Sequence, residues 1–216
     1  MKFQTFLVEV LIVIVGVLLA YVVGNQTQKY FEKESEKEYI NRLKADFYQN
    51  IDFLQEIIAL DSLQVAKGIE TIESIKNNNF ILDSLPSALM VLSQSSKLPI
   101  RETTYKEMIN VGDLSLITND SLRLLMVEYF VEYEGVKFQE DSHENIMRQQ
   151  GLPYVHSTFD ILNIRNNNSQ HNQDAVSKVK FGNMIYMFTG ITALKKAQYE
   201  LLLNKNRKLL EYLESE

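Results

Sequence analysis

The sequence contains no cysteine and no tryptophan, and it has only eight glycines and three prolines among 216 residues. The absence of cysteine excludes disulfides, thiolate chemistry and cysteine-ligated metal sites. Glycine and proline mark turns, so their scarcity favours long uninterrupted helices. No glycine-rich phosphate loop and no recognisable Ser/His/Asp order are present. The sequence therefore predicts no enzyme activity and no cofactor.

Charge and histidine spacing exclude further classes of protein. The chain has 22 basic and 28 acidic residues and a net charge of −6, which repels phosphate backbones and argues against nucleic acid as a partner. His143, His156 and His171 are too far apart to form a helical metal pair, so we predict no metal site. We interpret His143 as a core histidine with satisfied hydrogen bonds.

Acidic pairs occur at two places in the second half of the chain, Glu132/Glu134 and Glu140/Asp141. Paired carboxylates can perform acid–base chemistry, but charge runs of this kind usually lie on the solvated face of a helix. We therefore predict that all four are surface charges.

An apolar run near the N-terminus predicts a membrane anchor. Residues 6–23 read FLVEVLIVIVGVLLAYVV, and Glu9 is the only charged residue among them. A bilayer core needs about 20 apolar residues in a helix, so this run is just long enough to span it. A cleaved signal peptide is the alternative, but it requires a shorter apolar centre and a better small-residue site than Val22-Val23-Gly24. We therefore predict that residues 1–24 form a transmembrane anchor.

The remaining residues predict a helical stalk and one helical domain. Lysines and glutamates interleave over residues 25–38, which is typical of a solvated helix that continues the anchor, and the acids cancel any basic lipid-binding patch. From residue 39 to 216, apolar residues recur at three- and four-residue spacing between turn signals, and Asn77–Asn79 is predicted to end the first helix. The fold class is therefore predicted to be all-α, an antiparallel helical bundle. The predicted inward positions of its first and last helices are Ile40, Leu43, Phe47, Ile51, Leu54, Ile58, Val65, Ile69 and Ile72, and Ile185, Phe188, Ile191, Leu194 and Leu201.

Three residues of the anchor are candidate contacts with another membrane helix. Glu9 is a carboxylate inside the span, which is costly unless it faces the interface, a partner or a proton path. Its place in the first turn favours the interface, while a partner contact and proton transfer stay open. Gly16 and Ala20 form a small-xxx-small step that allows close helix approach. The predicted partners are the lipid bilayer and another membrane protein or a second copy of this chain.

Residues 103–133 contain several helix-boundary signals. Thr104 and Glu107 have capping-box spacing, Gly112 suits a left-handed helix end, and Asn119 suits the cap of the next helix. We predict that Tyr105 is largely buried and that Arg123 hydrogen-bonds carbonyls or a carboxylate at the turn. A DNA-reading helix-turn-helix is disfavoured, because the second helix opens with Asp120. The motif is therefore interpreted as structural, and its members are Thr104, Tyr105, Glu107, Gly112, Asn119 and Arg123.

Two segments resemble the motifs of a bacterial family of single-span membrane proteins with a domain of unknown function. The first is Glu9-Val10 with residues 15–20 (VGVLLA); the second is Thr104-Tyr105-x-Glu107-Met108, Gly112-x-Leu114, Ile117-x-Asn119 and Leu122-Arg123. The resemblance implies an N-terminal anchor in the bacterial inner membrane and a helical soluble domain. Basic extensions before the anchor in that family imply a periplasmic domain, whereas Lys29, Lys33 and Lys37 favour the cytoplasm. We expect the periplasmic orientation.

Two functional hypotheses follow from this architecture. In the first, the domain is a membrane-anchored interaction or scaffold module. In the second, it is an extracytoplasmic ligand-sensing bundle, and its signal would pass to a separate membrane partner, since only five residues precede the apolar run. The need for such a partner favours the first hypothesis.

Overall fold

The computed structural model describes residues 2–164 and 170–215, and it describes side chains from residue 11 onward, residue 163 excepted. This part of the chain is all-α and contains no strand. Short 3₁₀ turns occur at Leu82–Ser84, Asp113–Leu116 and Ile161–Asn163, and a π-helical turn, Met147–Gly151, joins the fourth and fifth helices. The helices are α1 (Lys2–Lys76), α2 (Leu85–Ser93), α3 (Thr103–Val111), α4 (Asp120–Ile146), α5 (Leu152–Thr158), α6 (Gln170–Val176) and α7 (Val179–Ser215).

Helix α1 runs without a break from the apolar segment into the folded domain. Among the described residues it is the one helix with a stretch long and apolar enough to cross a membrane, and none of that stretch is buried by the rest of the protein. It ends where the sequence predicts, at Asn77–Asn79. There Asn78 adopts a positive φ of 54°, and the amides of all three asparagines bond carbonyls of the last turn.

The three long helices bury residues at alternating three- and four-residue steps. This 3.5-residue average is the spacing of left-handed coiled coils, in which one seam of each helix faces its neighbours. The seam of α1 is Ile40, Leu43, Phe47, Asn50, Leu54, Ile57, Asp61, Gln64, Gly68 and Thr71; that of α4 is Leu122, Met126, Tyr129, Tyr133, Val136, Glu140 and His143; that of α7 is Phe181, Ile185, Phe188, Thr192, Lys195, Tyr199, Leu202, Asn206, Leu209 and Leu213.

Three residues that were predicted to face inward do not do so. Ile69, Leu194 and Leu201 are exposed, not buried. The true seam positions beside them carry Gly68, Thr192, Lys195 and Leu202. An apolar pattern follows the nearest hydrophobic residue, so it leaves the seam where the seam carries glycine or a polar residue, as at Gly68, Thr192 and Lys195. It also cannot choose between two adjacent leucines, as at Leu201 and Leu202.

Helices α1 and α7 pair along most of the length of α7. At Gly68 they approach closely enough that a Cβ atom would lie 2.8 Å from Cγ2 of Thr189. The contacts between the two helices include Tyr48 with Glu214, Asp61 with Lys195, Gly68 with Thr189, and Ile75 with Gly182. Helix α4 packs against α7, while α2, α5 and α6 form a second apolar cluster around the first part of α7.

Candidate functional site

An extended segment, residues 94–102, joins α2 to α3 and crosses the seams of the long helices. Because it is not helical, its backbone amides and carbonyls need other partners. Asn50 supplies two: its Nδ2 donates to the carbonyl of Arg101 at 3.0 Å, and its Oδ1 accepts from the Arg101 amide at 2.7 Å. Gln64 Nε2 donates to the carbonyls of Val91 and Gln94 at 3.3 and 3.2 Å. The polar seam residues of α1 therefore hold this segment in place.

Helix α4 and helix α7 hold the middle of the same segment. The Leu98 amide donates to Oε1 of Glu140 at 2.7 Å, and the Tyr133 hydroxyl donates to the Leu98 carbonyl at 3.3 Å. The Tyr199 hydroxyl donates to the same Glu140 oxygen at 2.6 Å. Glu140 is only 3% exposed, so its prediction as a surface charge is wrong, and burial raises the pKa of its carboxyl.

A buried ion pair lies at the centre of this polar region. Lys195 Nζ is 3.5 Å from Oδ2 of Asp61, and each of the two residues is 1% exposed. The same nitrogen donates to the carbonyl and to Oγ of Ser96 at 3.0 and 2.7 Å, and Ser96 Oγ donates to Oδ1 of Asp61 at 2.5 Å. Burial raises the pKa of Asp61 and lowers the pKa of Lys195, while their mutual attraction opposes both shifts. We name Asp61, Ser96, Glu140, Lys195 and Tyr199 the buried polar cluster.

His143 lies one helical turn beyond Glu140 on the α4 seam. It is fully buried, as the sequence predicts, and its ring centre is 5.9 Å from that of Phe188. Neither ring nitrogen has a hydrogen-bond partner in the described part of the chain, so the prediction of satisfied hydrogen bonds is wrong. Burial, with a smaller contribution from the nearby Lys195 charge, lowers the pKa of His143 to about 4. The imidazole is therefore neutral at pH 7.

Ser96 and Lys195 have the proximity of a nucleophile and its base. A serine nucleophile requires a base that can accept its proton. Here the lysine donates to Ser96 and forms an ion pair with Asp61, and the serine hydroxyl donates to the carboxylate. The hydrogen bonds thus fit a protonated lysine paired with a charged aspartate. This arrangement anchors the 94–102 segment and does not activate Ser96.

The capping box predicted at Thr104 and Glu107 is wrong. Helix α3 begins at Thr103, and its N-cap position is Glu102. The Thr104 hydroxyl instead donates to Oδ2 of Asp46 on α1 at 2.6 Å, and Glu107 forms an ion pair with Arg42, with Nη1 to Oε1 at 3.1 Å. The hydrogen bond from Arg42, together with its charge, lowers the pKa of Glu107. Partners on α1 therefore replace the reciprocal pairing that local spacing suggests.

The turn after α3 has the predicted conformation. Gly112 is left-handed, with φ of 84°, and ends α3; the Asn119 side chain caps α4 by accepting from the Leu122 amide at 3.0 Å. Arg123 Nη1 donates to the Ile117 carbonyl at 2.5 Å, and Arg123 also pairs with Asp120. These three predictions are confirmed.

Tyr105 differs from its prediction in degree. It is half-buried, not largely buried, and its ring stacks on Phe130 with a centroid distance of 3.9 Å.

The side chain of Glu9 lies outside the described residues. Gly16 and Ala20 are exposed on α1, and a Cβ at Gly16 would meet nothing within 4 Å. Their predicted contact with a membrane partner stays a prediction.

The structure brings together residues that the sequence did not connect. Asn50, Asp61 and Gln64 from α1 contact Arg101, Lys195 and Val91, so that α1 and α7 meet around one segment. His156 and His171 are exposed, and the described residues contain no group of three or more His, Asp or Glu that could hold a metal ion.

No protein-family model, no curated protein and no solved structure matches this chain.

Proposed function

We propose that this protein is a membrane-anchored helical interaction module that binds a partner protein beside the bilayer. The exposed apolar stretch of α1 supports the anchor, because its apolar side chains have no protein surface to pack against and would otherwise contact water. The family resemblance supports a bacterial inner-membrane location with the domain in the periplasm.

The observation that carries the interaction role is an apolar stripe on the outer face of α4. Leu124, Val131 and Phe138 are 59%, 67% and 71% exposed and lie at seven-residue spacing. They lie on the side of the helix opposite its buried seam, so the described part of the domain leaves them largely uncovered. An exposed apolar row of this kind is typical of a surface that another helix covers. We name these three residues the α4 stripe.

The proposed architecture is an antiparallel bundle. Its support is the order of contacts between α1 and α7: Tyr48 lies beside Glu214 near the end of α7, whereas Gly68 lies beside Thr189 near its beginning. Residues of increasing number along α1 therefore contact residues of decreasing number along α7. In this arrangement the C-terminal end of α7 lies toward the membrane.

A ligand-sensing role is the second candidate, and one observation favours it. Asp61 and Gln64, which hold the buried segment, lie on the same unbroken helix as the apolar span. A change in the domain could therefore reach the membrane without crossing a flexible linker. Signalling of this kind requires a membrane partner that responds to α1.

Photo-crosslinking in native membranes tests the interaction role. A photoreactive residue replacing Val131 should crosslink one defined partner, and the same residue replacing the exposed Asn204 on α7 should not. Phe138→Asp should abolish the Val131 crosslink. Leu194→Asp is the control, because Leu194 on α7 is also apolar and similarly exposed, and this variant should leave the crosslink intact. A crosslink to a second copy of the chain would make the partner a homo-oligomer. Absence of any crosslink from Val131, with folded protein in the membrane, would refute the α4 stripe as the binding surface.

Two fractionation measurements test the anchor and its orientation. Alkaline carbonate should leave the full chain in the membrane pellet, and release into the supernatant would contradict the anchor. Protease added to spheroplasts should degrade the domain if it is periplasmic. Survival of the domain until lysis would contradict that orientation.

A further inference from the structure

A groove of about 330 Å³ lies where the end of α1 meets the beginning of α7. Its walls are mainly apolar, formed by Ile72 and Ile75 on one side and by Val179, Gly182 and Tyr186 on the other. The missing side chain at Gly182 keeps it open: a Cβ there would lie 3.8 Å from Cγ2 of Ile75, in ordinary contact, and anything larger would enter the groove. Val179 and Tyr186 are strongly exposed, so the groove is accessible from solvent.

The polar part of the groove consists of Ser177, Asn183 and two lysines. Lys76 ends α1 and Lys178 directly precedes α7, and both side chains line the groove. Neither lysine forms an ion pair within the part of the chain that the structure describes. Two ammonium groups without an acidic partner among the described residues therefore lie beside the apolar walls. They attract an anion to this end of the domain.

We propose that this groove binds a small hydrophobic carboxylate. Water occupies about 30 Å³ per molecule in the liquid, so the groove has room for roughly a dozen non-hydrogen atoms. An aromatic or short aliphatic body would displace water from Ile72, Ile75 and Val179, while the carboxylate would lie between the ammonium groups of Lys76 and Lys178. The apolar walls disfavour a free phosphate, which would need donors on several sides. This site is separate from the α4 stripe and does not depend on the proposed partner binding.

The direct test uses 4-phenylbutyrate with the full chain in phosphatidylcholine nanodiscs, and empty nanodiscs as the blank. Isothermal titration calorimetry or saturation-transfer NMR should detect binding with a Kd of about 1 mM or tighter, as expected for a ligand of this size. The uncharged analogue 4-phenylbutanol should bind at least about tenfold more weakly. Equal binding of the alcohol and the acid would overturn the role of the lysines.

Two glycines on α7 give a matched pair of variants. Gly182→Phe fills the groove and should abolish binding, whereas Gly190→Phe, where a Cβ meets nothing within 4 Å, should leave binding unchanged. Binding that persists in Gly182→Phe, or that is lost equally in Gly190→Phe, would contradict the site. Helicity and the melting temperature of each variant report whether it is folded.

Lysine variants keep the test valid if Gly182→Phe does not fold. Lys76→Gln with Lys178→Gln should reduce affinity for the acid to that of the alcohol, while Lys208→Gln, an exposed lysine elsewhere on α7, should have no effect. No change in the double variant would overturn the proposal. Acetyl-Gly-Gly-Phe with a free C-terminus serves as the competing occupant; binding about tenfold tighter than 4-phenylbutyrate would identify the groove as a site for a protein C-terminus instead. Either result leaves the crosslinking test of the interaction role unaffected.

Discussion

Replacing Lys195 with methionine removes the only cation in contact with the buried Asp61 among the described residues. Lys195 is 1% exposed, and its nitrogen makes two hydrogen bonds to Ser96 in addition to the ion pair with Asp61. Methionine fills a similar volume without the charge. The variant therefore isolates the loss of polar contacts from the loss of packing.

The expected loss of stability follows from the buried carboxylate that remains after the substitution. Asp61 keeps its hydrogen bond from Ser96, but its carboxylate is then a buried charge without a counterion. Breaking a buried pair in this way typically costs about 3–5 kcal/mol. Replacing both partners, as in Asp61→Leu with Lys195→Met, leaves no buried charge at this position, and we expect the double variant to be more stable than Lys195→Met by at least about 1 kcal/mol.

Thermal unfolding of the full chain in detergent micelles, followed by circular dichroism at 222 nm, measures both effects. For a domain of this size, about 1 kcal/mol shifts the melting temperature by about 2–4 °C, so Lys195→Met should lower it by roughly 6–20 °C. Lys196→Met is the control, because Lys196 is the adjacent α7 residue and its ion pair with Glu200 is at the surface. An unchanged melting temperature for Lys195→Met, or a double variant less stable than both single variants, would refute a structural role for the pair.

Three further predictions concern other parts of the fold. His143 has a folded-state pKa of about 4 against an ordinary value of 6.5, so the unfolded chain binds the extra proton between these pH values. Relative to His143→Leu, the native protein should lose up to roughly 3 kcal/mol of stability as pH falls from about 6.5 to about 4, and parallel pH profiles of the two proteins would contradict this. Gly68→Ala places a Cβ against Thr189 and should cost about 1–3 kcal/mol, whereas Gly190→Ala should be neutral or stabilising by up to about 1 kcal/mol; equal unfolding midpoints would argue against close packing at Gly68. Asn119→Ala should cost about 1 kcal/mol because it removes the α4 cap, and Asn119→Asp should retain most of that stability; chemical denaturation of the two variants distinguishes them.

Helix boundaries were largely predictable because they depend on local chemistry. Asn77–Asn79, Gly112 and Asn119 mark helix ends through backbone conformation or a side-chain cap, and each does so in the structure. The capping box at Thr104 was not predictable in this way, since the same hydroxyl has a stronger partner in Asp46, 58 positions away. Local spacing carries no information about such a competitor.

The buried polar cluster was missed for a different physical reason. Apolar periodicity locates a seam only where the seam is apolar, and Asp61, Glu140 and Lys195 of the cluster occupy seam positions. A signal was nevertheless present: extending the three- and four-residue steps from Leu54 and Ile57 leads directly to Asp61 and Gln64. What the sequence could not show is the reason for these residues, because the 94–102 segment that they bind belongs to a distant part of the chain.

The polar seam residues also determine how α1 is rotated. An all-apolar seam tolerates sliding or rotation of one helix against another, whereas a buried polar residue has partners at one register only. Asn50, Asp61 and Gln64 each meet a defined partner on or beside the 94–102 segment, so the rotation of α1 within the domain is fixed at three points. Because α1 continues unbroken to its apolar end, that rotation extends to the face on which Gly16 and Ala20 lie. The α4 stripe and this face of the apolar stretch are thus connected through one continuous helix, as the proposed partner would require if it contacts both the domain and the proposed anchor.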